Sequence, residues 1–154
     1  MPQSFNFRQL QNSLPKRPKD SHKGNFGKVL ICAGSAGMGG AGILASETSL
    51  FCGSGLVKLT TDKSNVKAAL SRNPEVMTAG INMGNDINVQ IDIKDQDVIL
   101  YGPGIYKTMA TDAIFNEILK NSNNCKLIFD AGALHIMASV PHITKKLDQS
   151  ILIS

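Results

Sequence analysis

Short, nearly unbroken apolar runs alternate with longer segments of helical period along most of the chain. Lys28–Ala33 (KVLICA) is the first such run, as expected for a strand buried on both faces of a parallel sheet. Ala41–Phe51 places Ile43, Leu44, Leu50 and Phe51 on one side of a predicted helix. Gly53-Ser-Gly55 stops it, because glycine takes positive φ without steric cost. Leu56–Thr61 (LVKLTT) reads as a second strand and Ser64–Ser71 as a second helix, ended by Asn73-Pro-Glu75. Val76–Thr78 reads as a short strand, and the polar stretch Gly80–Gln96 as irregular, a short strand plus a surface loop. Asp97–Tyr101 (DVILY) is the next strand, stopped by Gly102-Pro-Gly104. Lys107–Lys120 is amphipathic, with Met109, Ala113, Ile114, Ile118 and Leu119 on its apolar face. Lys126–Phe129 (KLIF) is a further strand, followed by Asp130-Ala-Gly132 and an apolar helix from Ala133 to about Ser139. Ser150–Ser154 begins one more strand.

Strand, tight turn and helix in repetition predict an α/β fold, a parallel sheet with right-handed crossovers and helices on both faces. Functional groups in such sheets gather at the carboxyl ends of the strands. Three turns at those ends carry unusual residues: Gly34–Gly42, Gly102-Pro-Gly104 and Asp130–His135. Their coincidence predicts one shared site.

Composition narrows the classes. The 154 residues suffice for one domain with a sizeable core, and 42% apolar with 18% charged residues is ordinary for a globular protein. No run of about eighteen apolar residues exists, so no membrane span is expected. Met-Pro-Gln-Ser-Phe-Asn at the start shows no basic segment followed by an apolar one, so export is not expected. Cys32, Cys52 and Cys125 cannot all pair and lie in or beside apolar runs. They read as reduced, buried thiols of a cytoplasmic protein. His22, His135 and His142 lack the short spacing of a zinc site. The net charge of +4 is concentrated before the first strand, at Lys16, Arg17, Lys19, His22, Lys23 and Lys28. Phe26 is the sole aromatic there for stacking, so an anionic small ligand or simple solvation fits the segment better than nucleic acid.

The turn Gly34-Ser-Ala-Gly37-Met-Gly39-Gly40-Ala41-Gly42 links a buried strand to a helix. Small residues there allow close approach of a ligand, and free amides at a helix start favour an anion. A packing turn that needs small residues for helix–sheet contact is the plainer reading. A third reading is the dinucleotide fingerprint of a Rossmann oxidoreductase, since Gly37-Met-Gly39-Gly-Ala-Gly42 satisfies G-x-G-x-x-G and Asp62 follows twenty residues on. The strand ends near Ala33, however, which starts that fingerprint about three residues late.

The flanks select among these. Ser21-His-Lys-Gly-Asn-Phe-Gly27, Ala33–Ala41, Gly53-Ser-Gly-Leu-Val57, Asn73-Pro-Glu75-Val-Met77 and Tyr101-Gly-Pro-Gly104 occur in that order. As an ordered set, from about Leu14 to the end, they closely resemble the ADP- or ATP-dependent NAD(P)H-hydrate dehydratases, and here the N-terminal half of such an enzyme. The resemblance implies a ribokinase-like, three-layer fold. The basic segment then occupies residues 1–21, and the resemblance implies the N-terminal portion of the dehydratase domain over 22–154. The implied activity is that of a lyase repairing hydrated NADH and NADPH. A nucleotide, ADP or ATP with Mg2+, phosphorylates the added hydroxyl, and loss of phosphate restores the nicotinamide ring. Implied partners are the dinucleotide, the nucleotide, and either further copies in a homo-oligomer or a complementing second chain. By the same resemblance Gly39, Gly40 and Ala41 touch the hydrated dinucleotide, Gly102 and Gly104 border its pocket, and His22 and Lys23 lie near the pocket mouth. Asp130 retains the first carboxylate of an Asp-Ala-Asp motif.

Departures accompany the resemblance. The second aspartate of that motif is Gly132, an asparagine after it is His135, and Tyr106 stands where a second glycine usually follows. The Thr-Pro-His turn and the Gly-Thr-Gly-Asp helix start, whose aspartate is the presumed base, have no counterpart in the 154 residues. Pro141-His142 precedes the last strand, where the turn should follow it. The expectation is a dehydratase-family chain active only with a complementing half. A non-catalytic remnant and a Rossmann oxidoreductase are the alternatives. A half-sheet with an unpaired apolar edge is also expected to associate or aggregate.

Overall fold

The computed structural model describes residues 6–11, 16–122, 125–140 and 150–153. A short helix α1 (Phe7–Gln11) precedes β1 (Lys28–Cys32), α2 (Gly39–Phe51), β2 (Leu56–Asp62), α3 (Val66–Arg72) and β3 (Met77–Ile81). Then come β4 (Val98–Tyr101), α4 (Met109–Asn121), β5 (Lys126–Asp130), α5 (Gly132–Ala138) and β6 (Ser150–Ile153). All neighbouring strands pair in parallel, in the order β3-β2-β1-β4-β5-β6. The predicted parallel α/β sheet is therefore present, with element ends within a few residues of those expected. Helix α1 carried no sequence signal, and residues 82–97 form no helix or strand.

Alternation along β1 shows why its apolar run is unbroken. Leu30 and Cys32 enter one core with Ile99, Tyr101, Leu127 and Phe129, under Ile114, Phe115 and Ile118 of α4 and Ile136 of α5. Ile31 and Ala33 enter a second core with Val57 and Leu59, under Ile43 and Leu50 of α2 and Ala69 of α3. Both faces of the central strands are thus covered, which is what parallel sheets require. Tyr101 stacks on Phe115, which meets Phe129 edge to face, with ring centroids 5.8 and 5.7 Å apart.

Helix α2 packs differently from the sequence expectation. Leu44 is 58% and Phe51 82% exposed, while Gly42, Ser46 and Glu47 are buried. A Cβ at Gly42 would lie 3.1 Å from both the Ala33 Cβ and the Leu59 Cδ1, so small residues, not leucine and phenylalanine, set the close approach to the sheet. Glu47 then faces Arg72 of α3 at 2.9 Å. Cys52, expected buried, is exposed at the end of α2; Cys32 is buried, Cys125 is partly so, and all are free thiols. Burial pushes the Cys32 thiol up to about 12.

From β1 the chain moves outward through β2 and β3, then returns to place β4 on the other side of β1. The carboxyl ends of β1 and β4 therefore flank the topological switch point, where doubly wound sheets bind their ligands.

Candidate functional site

Two turns meet at that switch point. After β1, the Gly34 and Ser35 amides donate to the Pro103 and Gly104 carbonyls at 2.9 and 2.8 Å. The Tyr106 amide donates to the Ser35 Oγ at 3.3 Å. Gly104 has φ +63°, and a Cβ there would meet the Met38 carbonyl at 2.6 Å, so glycine is required by both conformation and space. The third turn joins them. A Cβ on Gly102 would strike the Asp130 carbonyl, and one on Gly132 the Ile105 carbonyl. The expected convergence of the turns after β1, β4 and β5 is present.

Within the first turn, the chain rises out of the protein and re-enters it. Ser35 is fully buried, Ala36, Gly37 and Met38 are exposed, and α2 begins at Gly39. Met38 supplies no side-chain cap to α2, so the first helical amides are left to other acceptors. Gly40 and Ala41 are exposed. Nothing lies within 4 Å of a Cβ built on Gly40, and its φ is not positive. The fold itself gives no reason for glycine at that position.

The other expected residues fall as follows. Asp130, partly buried, closes β5 beside these turns, whereas His22 and Lys23 lie at the far end of the sheet. They precede β1, which runs away from them for five residues, roughly 15 Å at about 3.3 Å per residue. The expected place near the pocket mouth is not met within one chain. Lys23 instead packs against the Gly53-Ser-Gly55 turn: a Cβ on Gly55 would strike the Lys23 carbonyl, and the Gly55 amide donates to the Phe26 carbonyl at 2.9 Å. Arg17 seals the same corner, donating to the Gly53 carbonyl at 2.6 Å and lying 4.0 Å over the Phe26 ring. Arg17 and Lys23 are thus tied to the turn after α2 while remaining exposed.

Asp62, the acidic residue of the Rossmann alternative, is buried and already engaged. Its carboxylate accepts from the Ser64 amide and hydroxyl at 3.0 and 2.7 Å and from the Met83 amide at 3.2 Å. Burial alone would raise its pKa; those hydrogen bonds and the Lys63 charge outweigh it and hold the carboxyl below the ordinary range. Such a group is committed to shaping its own loop. The fingerprint reading weakens further because β1 ends at Cys32, leaving Ala33–Ala36 before Gly37. Among the described residues no three His, Cys, Asp or Glu side chains gather as a metal site. Asp130 alone does not fit a protein-held metal ion. No described helix is long and apolar enough to cross a membrane. Pro141 and His142 lie outside the described residues.

Sequence reasoning missed Ser35, Thr61 and Asn65, which hold the first turn from beneath. The Thr61 Oγ1, the Asn65 Nδ2 and the Asp62 amide all donate to the Gly34 carbonyl, at 2.9, 2.8 and 3.0 Å. The only sequence signal was polar residues at the end of an otherwise apolar strand.

Sheet order, converging glycine turns and an uncapped helix start define a doubly wound α/β protein whose turns gather at its switch point. Comparison with known proteins makes this specific. A family model described as NAD(P)H-hydrate dehydratase matches residues 29–153, and the chain belongs to that family. The ADP-dependent (S)-NAD(P)H-hydrate dehydratase of Staphylococcus aureus is 37% identical over 129 residues, covering 83% of this chain and 46% of that protein. Its counterpart in Listeria monocytogenes is 36% identical over 137 residues, covering 87% and 49%. A ribokinase-like superfamily protein from Enterococcus faecalis superposes with a TM-score of 0.76 at 28% identity, over 89% of this chain and 48% of its own. The ADP/ATP-dependent NAD(P)H-hydrate dehydratase of Bacillus subtilis, co-crystallised with ATP and Mg2+, gives 0.70 at 28% identity, over 82% and 45%. The ribokinase-like fold expected from the motifs is thereby established. The chain spans about half the length of the curated relatives it matches.

Proposed function

We propose that this chain carries the dinucleotide side of a site for ADP- or ATP-dependent dehydration of hydrated NADH and NADPH. Gly40 is the observation that carries the reading. A glycine in a helix interior costs about 0.5–1 kcal/mol relative to alanine, which is the upper bound for Gly40 in the first turn, and the protein leaves open the space its side chain would fill. A ligand pressed against that backbone accounts for it. The amides of Gly39, Gly40 and Ala41 receive a negatively charged part of the dinucleotide, its pyrophosphate being the natural candidate. Gly102 and Gly104, in the turn bonded to the one after β1, border the ligand, and Asp130 at the end of β5 is its polar neighbour. His22 and Lys23 bear on such a ligand only from another copy of the chain, since their own β1 carries them away from it.

Phosphorylation of the hydroxyl at the hydrated ring and loss of phosphate need a proton acceptor and a hole for the phosphoryl oxygens. Around the three turns, Asp62 is consumed internally and Asp130 stands without a second carboxylate, because position 132 is glycine. Base, anion hole, nucleotide pocket and Mg2+ contacts are therefore assigned to residues outside these 154, in a complementing chain or segment. The implied location is the cytoplasm, where free thiols and the nucleotide pool coexist.

The direct test is spectroscopic recovery of NADH from its hydrate with ADP or ATP and Mg2+. The chain alone is expected to give none, and the chain mixed with the C-terminal half of the Staphylococcus aureus relative to restore it. Recovery by the chain alone would overturn the assignment of the base. Reversible hydride transfer with a small alcohol or acid would instead favour an oxidoreductase.

A further inference from the structure

Asn65 lies outside every motif that carries the family resemblance. It ends the short 3-10 turn Lys63–Asn65 after β2 and is 9% exposed. Its Nδ2 reaches the Gly34 carbonyl at 2.8 Å, the Ser35 carbonyl at 3.2 Å and the Thr61 Oγ1 at 3.1 Å. On its other side the same side chain abuts Gly39. A Cβ on Gly39 would lie 2.6 Å from the Asn65 Cγ and Oδ1 and 2.9 Å from its Cβ. One carboxamide is thus held between the residues where the exposed arc leaves the protein and the residue where it re-enters as α2.

We propose that Asn65 is the positioning residue of the glycine turn, fixing the span from Gly34 to Gly39 so that the Gly39–Ala41 amides are presented in one arrangement. Gly39 is glycine because Asn65 occupies the place of its side chain; Gly40 is glycine for the ligand. The two adjacent glycines answer to different partners. Thr61 donates at the Gly34 end of the arc, and the Ser35 Oγ is engaged with the Tyr106 amide, so neither takes the place of Asn65 between the two ends. Loss of Asn65 leaves the Gly34 carbonyl its Thr61 and Asp62 donors, so the strand end persists while the arc loosens.

The inference rests on the proposed dinucleotide reading only for its consequence on binding, and the test separates the two. Amide hydrogen exchange is measured on the wild-type chain and on Asn65→Ala, Asn65→Asp, Asn65→Gly, Gly39→Ala and Gly39→Ala/Asn65→Gly. Asn65→Ala is expected to speed exchange over residues 35–41 by about tenfold, with α4 and β4 unchanged. Asn65→Asp, equal in size but presenting oxygen to three acceptors, is expected to exceed it. Gly39→Ala is expected to disturb the arc in the wild-type background and to add nothing over Asn65→Gly, because the obstructing side chain is then gone. Exchange rising evenly across the chain in Asn65→Ala, or additive effects in the double variant, would overturn the proposal. Calorimetric titration with hydrated NADPH is expected to show about tenfold weaker binding for Asn65→Ala. Absence of binding by the wild type would remove the dinucleotide reading, while exchange still decides the role of Asn65.

Discussion

Two residues at the ends of β1 and β2 show how position decides chemistry. Cys32 sits between the sheet and α4 with its thiol pushed up to about 12, whereas Cys52 is exposed at the end of α2. A thiol-reactive probe at pH 8 is expected to label Cys52 rapidly and Cys32 only on unfolding; fast labelling of a Cys52→Ser chain at Cys32 would contradict the packing. Asp62 is an acid held ionised. Its folded pKa lies below the unfolded one, so the stabilisation is complete above the ordinary aspartate range and is lost as pH falls through the folded value. Urea unfolding of Asp62→Asn is expected to show a flatter acid limb than wild type. At neutral pH it should also lose about 1–3 kcal/mol, as an amide now faces the Met83 amide. Equal acid sensitivity in the two proteins would mean the carboxylate is not the group that titrates.

Elements were legible where one force dominated. The unbroken runs KVLICA, LVKLTT, DVILY and KLIF announced strands because the central ones are covered on both faces and KLIF buries Leu127 and Phe129 on one. Helix α2 was placed correctly, and of its expected apolar side Ile43 and Leu50 pack on the core while Leu44 and Phe51 face outward, because Gly42 and Ser46 make the close approach to the sheet. Sequence pattern records hydrophobicity, and this contact is governed by volume. The start of α4 was misplaced by two residues because its cap is cooperative: Thr108 accepts from the Thr111 amide at 3.1 Å and donates to the Met83 carbonyl at 2.6 Å. Thr108→Ala is expected to cost about 1–2 kcal/mol by removing both the cap and the tie to the 82–97 segment, readable as a lower urea midpoint at unchanged slope. A loss under a few tenths of a kcal/mol would show the cap to be redundant.

At the scale of the whole molecule, chain order places the site. Residues that follow β1, β4 and β5 converge at the switch point, and residues that precede β1 cannot. That is why Gly39–Ala41, Gly102, Gly104 and Asp130 came together while His22 and Lys23 did not, though all were drawn from the same family resemblance. The strand order β3-β2-β1-β4-β5-β6 serves oxidoreductases equally well, so fold alone left the chemistry open. The committed carboxylate of Asp62 and the family match over residues 29–153 settled the class. The claim that a ligand, and not the fold, dictates Gly40 is tested most directly by one paired measurement on Gly40→Ala: thermal stability together with calorimetric titration by hydrated NADPH. Gly40→Ala is expected to be more stable, by up to about 1 kcal/mol, and to bind the dinucleotide at least about tenfold more weakly than wild type. Unchanged affinity in the stabilised variant would contradict it.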